Sequence, residues 1–219
     1  MVPGVEKYQE ALSSGKYTHV VGADEVGYGA FAGPLLVCAA AVSVKWVPPK
    51  GLNDSKKVRP AKREELFDLN RDRVPYFCTM AEAEEIDRDG VIKALKRCYL
   101  ESLQAVLARY PKSLVVLDGE VKIPEVEHLN FPRADGLVPA VMVASVFAKV
   151  VRDRLMVELA KHHPGYGFGN HMGYGTPEHQ AAITKLGLCP IHRRSYVPGE
   201  RLKTAEDIRA CDDPGMVAD

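Results

Sequence analysis

Four carboxylates in this chain stand where chemistry is possible. Asp24 and Glu25 close the apolar run Val20-Val21-Gly22-Ala23 and precede Gly27-Tyr28-Gly29. Asp118 closes Leu114-Val115-Val116-Leu117 and precedes Gly119, while Asp135 lies between Ala134 and Gly136, just ahead of Pro139. No cysteine or histidine occupies a comparable position, so the donors are all oxygen and select a hard divalent cation, Mg²⁺ or Mn²⁺. Crowded carboxylates repel one another, and bound cations remove that penalty. Two such ions about 4 Å apart can activate a water on one side of a phosphodiester and stabilise the leaving oxygen on the other. That is nuclease chemistry. Taken alone, the Asp24-Glu25 turn also fits a hairpin with two solvated acids. The repeat of the same pattern at Asp118 weighs against it.

The elements that must position these acids follow from apolar patterning. Residues 20–23 read as a buried strand, and 33–42 as a second, near-continuous apolar strand pairing with it. Adjacent strand residues face opposite ways, so Asp24 and Glu25 are expected to share a site through a bend supplied by Gly27 and Gly29. A helix opens at Pro60, and Tyr76 to Met80 suggest a third strand. Ile92, Leu95, Tyr99, Leu103, Val106 and Tyr110 recur at helical spacing and mark an amphipathic helix on a sheet. Residues 114–117 form another buried strand. If it neighbours the first, Asp118 joins Asp24 and Glu25 at the carboxyl ends of the strands, where open α/β sheets collect ligands. Val138 to about His162 is helical, which puts Asp135 at or just before a helix N-terminus. Asp153, far along that helix, is expected only in a surface pair with Arg152 or Arg154.

Composition sets the outer limits. At 219 residues, 46% hydrophobic and 26% charged, the chain suits one soluble globular domain, with no membrane-spanning run and no apolar core near Met1 for a signal peptide. Five scattered cysteines suggest reduced thiols in the cytoplasm. The formal net charge is zero, yet residues 141–203 hold nine Lys and Arg against four acids, and the last sixteen residues hold five acids and one Arg. A basic face beside an acidic tail is therefore concealed by the total.

Three further segments could meet a polyanion. Asp54-Ser55-Lys56 sits ahead of a helix, as an exposed cap or a phosphate contact. The glycine- and aromatic-rich stretch 163–179 includes Tyr174 and leads to a short helix from Pro177. Arg193 and Arg194 lie next to Tyr196, a combination that suits sugars, bases and phosphates. The histidines show no i, i+4 ligand pair and read as structural or as substrate contacts.

Taken together, GADEVGYGAFAGP, NDSKK, LDG, RADG, ASVFAKVVRDR, PGYGF, GYGTPEH and PIHRRSY resemble the type 2 ribonucleases H, most closely bacterial ribonuclease HII, from Gly22 to about Pro198. The resemblance implies an α/β, ribonuclease H-like fold, with a central mixed β-sheet flanked by helices and a short helical C-terminal part. A catalytic domain over 1–198 is expected, with 1–17 as an N-terminal extension and 199–219 as a polar acidic tail. The resemblance further implies that Asp24, Glu25, Asp118 and Asp135 bind the metals and catalyse. Cleavage is expected 5′ to ribonucleotides in RNA/DNA hybrids and in DNA duplexes with embedded ribonucleotides, leaving 3′-hydroxyl and 5′-phosphate ends. Gly27, Tyr28 and Gly29 match the segment that reads the 2′-hydroxyl, and Tyr174 the residue that senses the following deoxyribose. Ser55, Lys56, Ser145 and Lys149 match positions along the phosphate path, and Arg193 and Arg194 are added to the substrate contacts. A monomer is expected. Tyr28 departs from the family's usual arginine, which leaves open a ribonuclease HIII-like need for several consecutive ribonucleotides. A catalytically impaired hybrid-binding protein is the non-enzymatic alternative.

Overall fold

The computed structural model describes residues 4–197, and within them the chain forms two compact units. The first takes the chain up to Val26, Leu36–Met80 and Ile92–Val151; the second takes Gly27–Leu35, Ala81–Val91 and the chain from Arg152 onward. The acidic tail expected at 199–219 lies outside the described residues.

The first unit is built on a sheet. Its strands are β1 (His19–Val26), β2 (Leu35–Ser43), β3 (Tyr76–Ala81), β4 (Ser113–Asp118) and β5 (Leu129–Phe131), in the order β3-β2-β1-β4-β5. β1 runs antiparallel to β2 and parallel to β4, and β4 runs parallel to β5. The expected adjacency of the first strand and the Asp118 strand is thus present. β2 is buried from Leu35 to Val42, as its unbroken apolar run requires. It starts two residues later than expected, because Gly33 turns with φ 80° in the preceding loop.

Two long helices cover this sheet. α5 (Pro139–His162) is rich in small residues through its first half, and its close approach is set by Gly22: a Cβ there would lie 2.3 Å from the Ala140 carbonyl carbon and the Val141 nitrogen. Both are backbone atoms and cannot swing away. Gly22→Ala is therefore expected to lower unfolding free energy by about 2 kcal/mol, read from urea denaturation, as overpacking commonly does. α4 (Val91–Leu107) buries Leu95, Tyr99, Leu103 and Val106 of the face its spacing anticipated, with Cys98 and Ser102 beside them, whereas Ile92 at its first turn is exposed. Tyr110, expected on the same face, lies beyond the helix end. Ser102 anchors this helix by donating to the Val37 carbonyl of β2 at 3.2 Å. α2 (Pro60–Asn70) begins at the expected proline.

Short elements escaped the pattern reading. α1 (Val5–Ser13), α3 (Ala83–Asp89) and the three-residue β5 span too few residues to display a clear period.

The second unit packs the C-terminal part of α5, α6 (Phe168–His171) and α7 (Pro177–Leu186). One cluster joins Ala32, Met156, Tyr166 and Phe168; another joins Ile183, Leu188 and Val197. Asp87 of α3 accepts from the backbone N–H groups of Arg194 (2.8 Å) and Ser195 (3.0 Å), fixing the 3₁₀ turn Arg194–Tyr196.

Candidate active site

In the first unit, parallel pairing of β1 with β4 in the register Ala23↔Leu117 brings Asp24 level with Asp118. Asp135 reaches the same edge from a 3₁₀ turn, Ala134–Gly136, where its backbone N–H donates to Asp118 Oδ1 at 3.4 Å. Arg133, with φ 66°, supplies the left-handed residue that tightens this turn. Asp135 therefore lies just before α5, as expected, in a short turn of its own. The structure thus brings Asp24, Glu25, Asp118 and Asp135 to one sheet edge.

The strand does not bend between Asp24 and Glu25. β1 stays regular through Val26, and the two acids face opposite sides of the sheet, correcting the expected bend. Asp24, on the face of Gly22 and α5, is buried and hydrogen-bonds Ser145. Glu25, on the other face, accepts from the hydroxyl of Tyr99 on α4. Pattern reading placed Tyr99 on an apolar face and missed this polar tip; the only available signal was that a buried tyrosine hydroxyl needs a partner.

Electrostatics set these acids apart from a solvated turn. Burial, together with the charges of Glu25 and Asp118, pushes the Asp24 carboxyl up to about 8. Asp135 is raised as well, by burial and then by Asp118 and Asp54. Partial burial works against the charge of Lys56, but Asp24, Asp135, Asp54 and Asp118 together hold its ammonium above the ordinary value. Among the described residues, no three His, Cys, Asp or Glu side chains stand close enough to enclose an ion as placed. The acids form an open set whose mutual repulsion opposes closer approach. Their donor chemistry and surplus negative charge nonetheless fit a hard divalent cation.

Ser55 and Ser145, expected along the phosphate path, are both buried and hydrogen-bonded to each other at 2.9 Å. With Asp24 they form a short polar chain beneath the acids. Lys56 is exposed and Lys149 half-buried. Asp54 shapes the loop by accepting the Lys56 backbone N–H at 2.9 Å.

The second unit carries the other expected contacts. Gly27 has φ 83°, and a Cβ there would meet Arg152 Nε at 2.2 Å, so this position needs glycine for two reasons. Gly29 has open space around it, and Tyr28 is 40% exposed. Tyr174 is half-buried beneath the Arg152 guanidinium, 5.5 Å from its ring centroid.

Arg193 corrects the expected substrate contact. It is fully buried, giving two hydrogen bonds to the Gly33 carbonyl and one to that of Tyr28. Burial and the neighbouring Arg152 lower its guanidinium to about 10. Arg152, expected at most in a surface pair with Asp153, is likewise fully buried and donates to the carbonyls of Pro34, Met172 and Ala32. Both arginines thus brace the loop from inside. Arg194 remains exposed.

His179 and His192 of this unit are structural. His179 Nδ1 donates to the Tyr174 carbonyl at 3.0 Å, so its Nε2 accepts from His192 Nε2 at 3.0 Å, and His192 Nδ1 accepts the Cys189 N–H at 2.9 Å. That sequence of donors is complete only when both rings are neutral. Burial lowers both to about 4, the mutual charge adding to the shift of His192. Because their folded values lie below the unfolded 6.5, this stabilisation is whole above pH 6.5 and is lost as pH falls towards 4. The loss is on the order of 3 kcal/mol for the coupled pair. Carboxyls raised by burial act in the opposite sense. The histidine share is therefore read as the difference in urea stability between wild type and His179→Gln, which should shrink from pH 8 to pH 5.

The five-stranded mixed sheet with acids at the carboxyl ends of β1 and β4 is the arrangement of a ribonuclease H-like fold. A likeness to the crystal structure of ribonuclease H2 from Pyrococcus horikoshii, with a TM-score of 0.71 over 87% of this chain and 99% of that one at 24% identity, shows the same fold. So does the structure of Bst-RNase HIII in complex with Mn²⁺, with a TM-score of 0.58 at 17% identity, covering 78% of this chain and 71% of that one. The family model for Ribonuclease HII matches residues 21–198. A protein described as Ribonuclease HII from Ruminiclostridium cellulolyticum is 38% identical over 192 residues, 86% of this chain and 73% of that protein. The chain belongs to the Ribonuclease HII family and is a ribonuclease H, an endonuclease of a divalent-metal-dependent family that acts on RNA/DNA hybrids. No helix among the described residues is long and apolar enough to cross a membrane.

Proposed function

We propose that the enzyme hydrolyses the phosphodiester 5′ to ribonucleotides, in hybrids and in duplex DNA with an embedded ribonucleotide, leaving 3′-hydroxyl and 5′-phosphate ends. The observation that carries this reading is the gathering of Asp24, Glu25, Asp118 and Asp135 at one sheet edge, with Lys56 held cationic beside three of them. Mg²⁺ or Mn²⁺ bound by these four carboxylates would supply a water nucleophile near neutral pH and charge stabilisation at the leaving oxygen. The Mn²⁺ named in the Bst-RNase HIII structure supports that choice of ion for this fold.

The protein's own groups do the positioning. Ser145 holds Asp24, Tyr99 holds Glu25, and the Asp135 backbone holds Asp118, so three of the four carboxylates meet the substrate with part of their orientation already set. In the first unit Lys56 and Lys149 are the cations offered to backbone phosphates; the second unit by itself offers Arg194 as a cation and Gly27, Tyr28, Gly29 and Tyr174 as groups for the sugar.

Metal-dependent cleavage of a duplex with one embedded ribonucleotide, with product ends identified, tests the reading. The expected products are a 3′-hydroxyl on the DNA side and a 5′-phosphate on the ribonucleotide. A 2′,3′-cyclic phosphate would make the ribose hydroxyl the nucleophile and overturn it. Exposure of Tyr28 favours one second reading, since a ring in place of a cation offers no charge to a phosphate. In that case the one-ribonucleotide duplex stays intact while a longer RNA stretch is cut.

A further inference from the structure

We propose that Tyr99 is a positioning residue for Glu25: its hydroxyl holds one carboxylate oxygen and leaves the other for a divalent cation. The inference rests on reading Glu25 as a metal ligand. Two observations carry it.

First, Tyr99 is fully buried in the middle of α4, yet its phenol is directed at the sheet edge and donates to Glu25 Oε2. A phenol serving the core alone would be replaceable by phenylalanine, and burying its hydroxyl would only cost energy. Second, the donor's place is fixed by more than its own bond. Ser102, one turn along α4, donates to the Val37 carbonyl, and Val37 is the cross-strand partner of Glu25. The same hydroxyl accepts from Thr79 Oγ1 at 3.0 Å on β3. The helix is thus pinned to the backbone opposite the acid it serves.

The arrangement also accounts for the two acids facing opposite ways. Asp24 is held by Ser145 from α5, and Glu25 by Tyr99 from α4. Each helix orients one carboxylate of a pair that the strand alternation separates. A carboxylate with one oxygen held loses less freedom on binding a cation than one free to rotate, which is why such supporting donors affect metal affinity.

Tyr99→Phe in the full-length protein tests this, through Mn²⁺ binding measured by calorimetry without nucleic acid. Affinity is expected to fall about tenfold, with the Mg²⁺ concentration for half-maximal cleavage rising in parallel and the KM for hybrid within about twofold of wild type. A folded variant with unchanged Mn²⁺ affinity overturns the proposal. So does a hybrid KM that rises while metal affinity holds. Adding Tyr99→Phe to Glu25→Gln should cause no further loss of Mn²⁺ affinity; a further tenfold loss would mean that Tyr99 acts elsewhere. 4-Aminophenylalanine at position 99 keeps the ring and a donor, and should bind Mn²⁺ within about threefold of wild type. A larger loss counts against the proposal even if the phenylalanine variant does not fold. Should Glu25→Gln alone bind Mn²⁺ and cleave as wild type, the assignment of Glu25 as a ligand fails, and this proposal with it.

Discussion

Replacing Asp24 or Asp135 by asparagine is expected to reduce metal-dependent cleavage by about 10³-fold, because charge stabilisation by a bound cation is worth several kcal/mol and each ~1.4 kcal/mol is tenfold in rate. Asparagine keeps the shape and loses the negative charge, so the loss reports cation binding and not packing. Stability separates this role from a structural one. The Asp24 carboxyl is displaced upward to about 8 by burial and by Glu25 and Asp118, so its folded value lies above its unfolded 3.8. Above pH 8 the group is ionised in both states and its burial cost is felt in full; that cost fades as pH falls towards 3.8. Asp24→Asn carries none of it. The variant should therefore be more stable than wild type at pH 9 in the absence of divalent ions, by ~2 kcal/mol, while being nearly inactive. Single-turnover cleavage and urea denaturation of the same sample check both halves. Cleavage within twofold of wild type for either variant would remove that residue from the active site.

Much of this site was legible in the sequence because the acids sit at ends of strands whose apolar runs need no other reading. Val20 to Ala23 and Leu114 to Leu117 are buried strands in the structure, and their pairing carries Asp24 and Asp118 to the same edge. What periodicity conveys is which side of an element is inside. It does not convey what a polar tip on the inside does. Tyr99 has the spacing of a core residue and is one, but its hydroxyl belongs to Glu25. Ser145 lay within the small-residue half of α5 and turned out to link Asp24 to Ser55. Strand alternation puts Asp24 and Glu25 on opposite faces, and a bend follows only if both must approach from one face. The two arginines failed for a different reason. A guanidinium is so rarely buried that Arg152 and Arg193 were assigned to the surface, and only the carbonyls of an irregular loop, with no ladder of their own, could draw them inside.

That loop gives the second large effect. Arg193→Met should lower unfolding free energy by about 4 kcal/mol, and Arg152→Met by a similar amount, since each leaves two or three buried carbonyls without a donor at ~1–3 kcal/mol apiece. At this chain length such a loss lowers Tm by roughly 10 °C. Arg193→Lys is not expected to restore it: the native side chain meets the Gly33 carbonyl through two nitrogens and the Tyr28 carbonyl through a third, and a single ammonium cannot span that fork. Salt dependence distinguishes this from a phosphate contact. Were Arg193 on the nucleic acid, its loss would reduce the slope of log affinity against log salt by about 1. For a buried brace the slope should stay at the wild-type value in Arg193→Met assayed below its melting temperature. The exposed neighbour should behave in the reverse way, Arg194→Met leaving Tm within a degree or two and reducing the slope by about 1. An Arg193 variant of wild-type stability with a reduced salt slope would return that residue to the substrate and leave the loop braced by Arg152 alone.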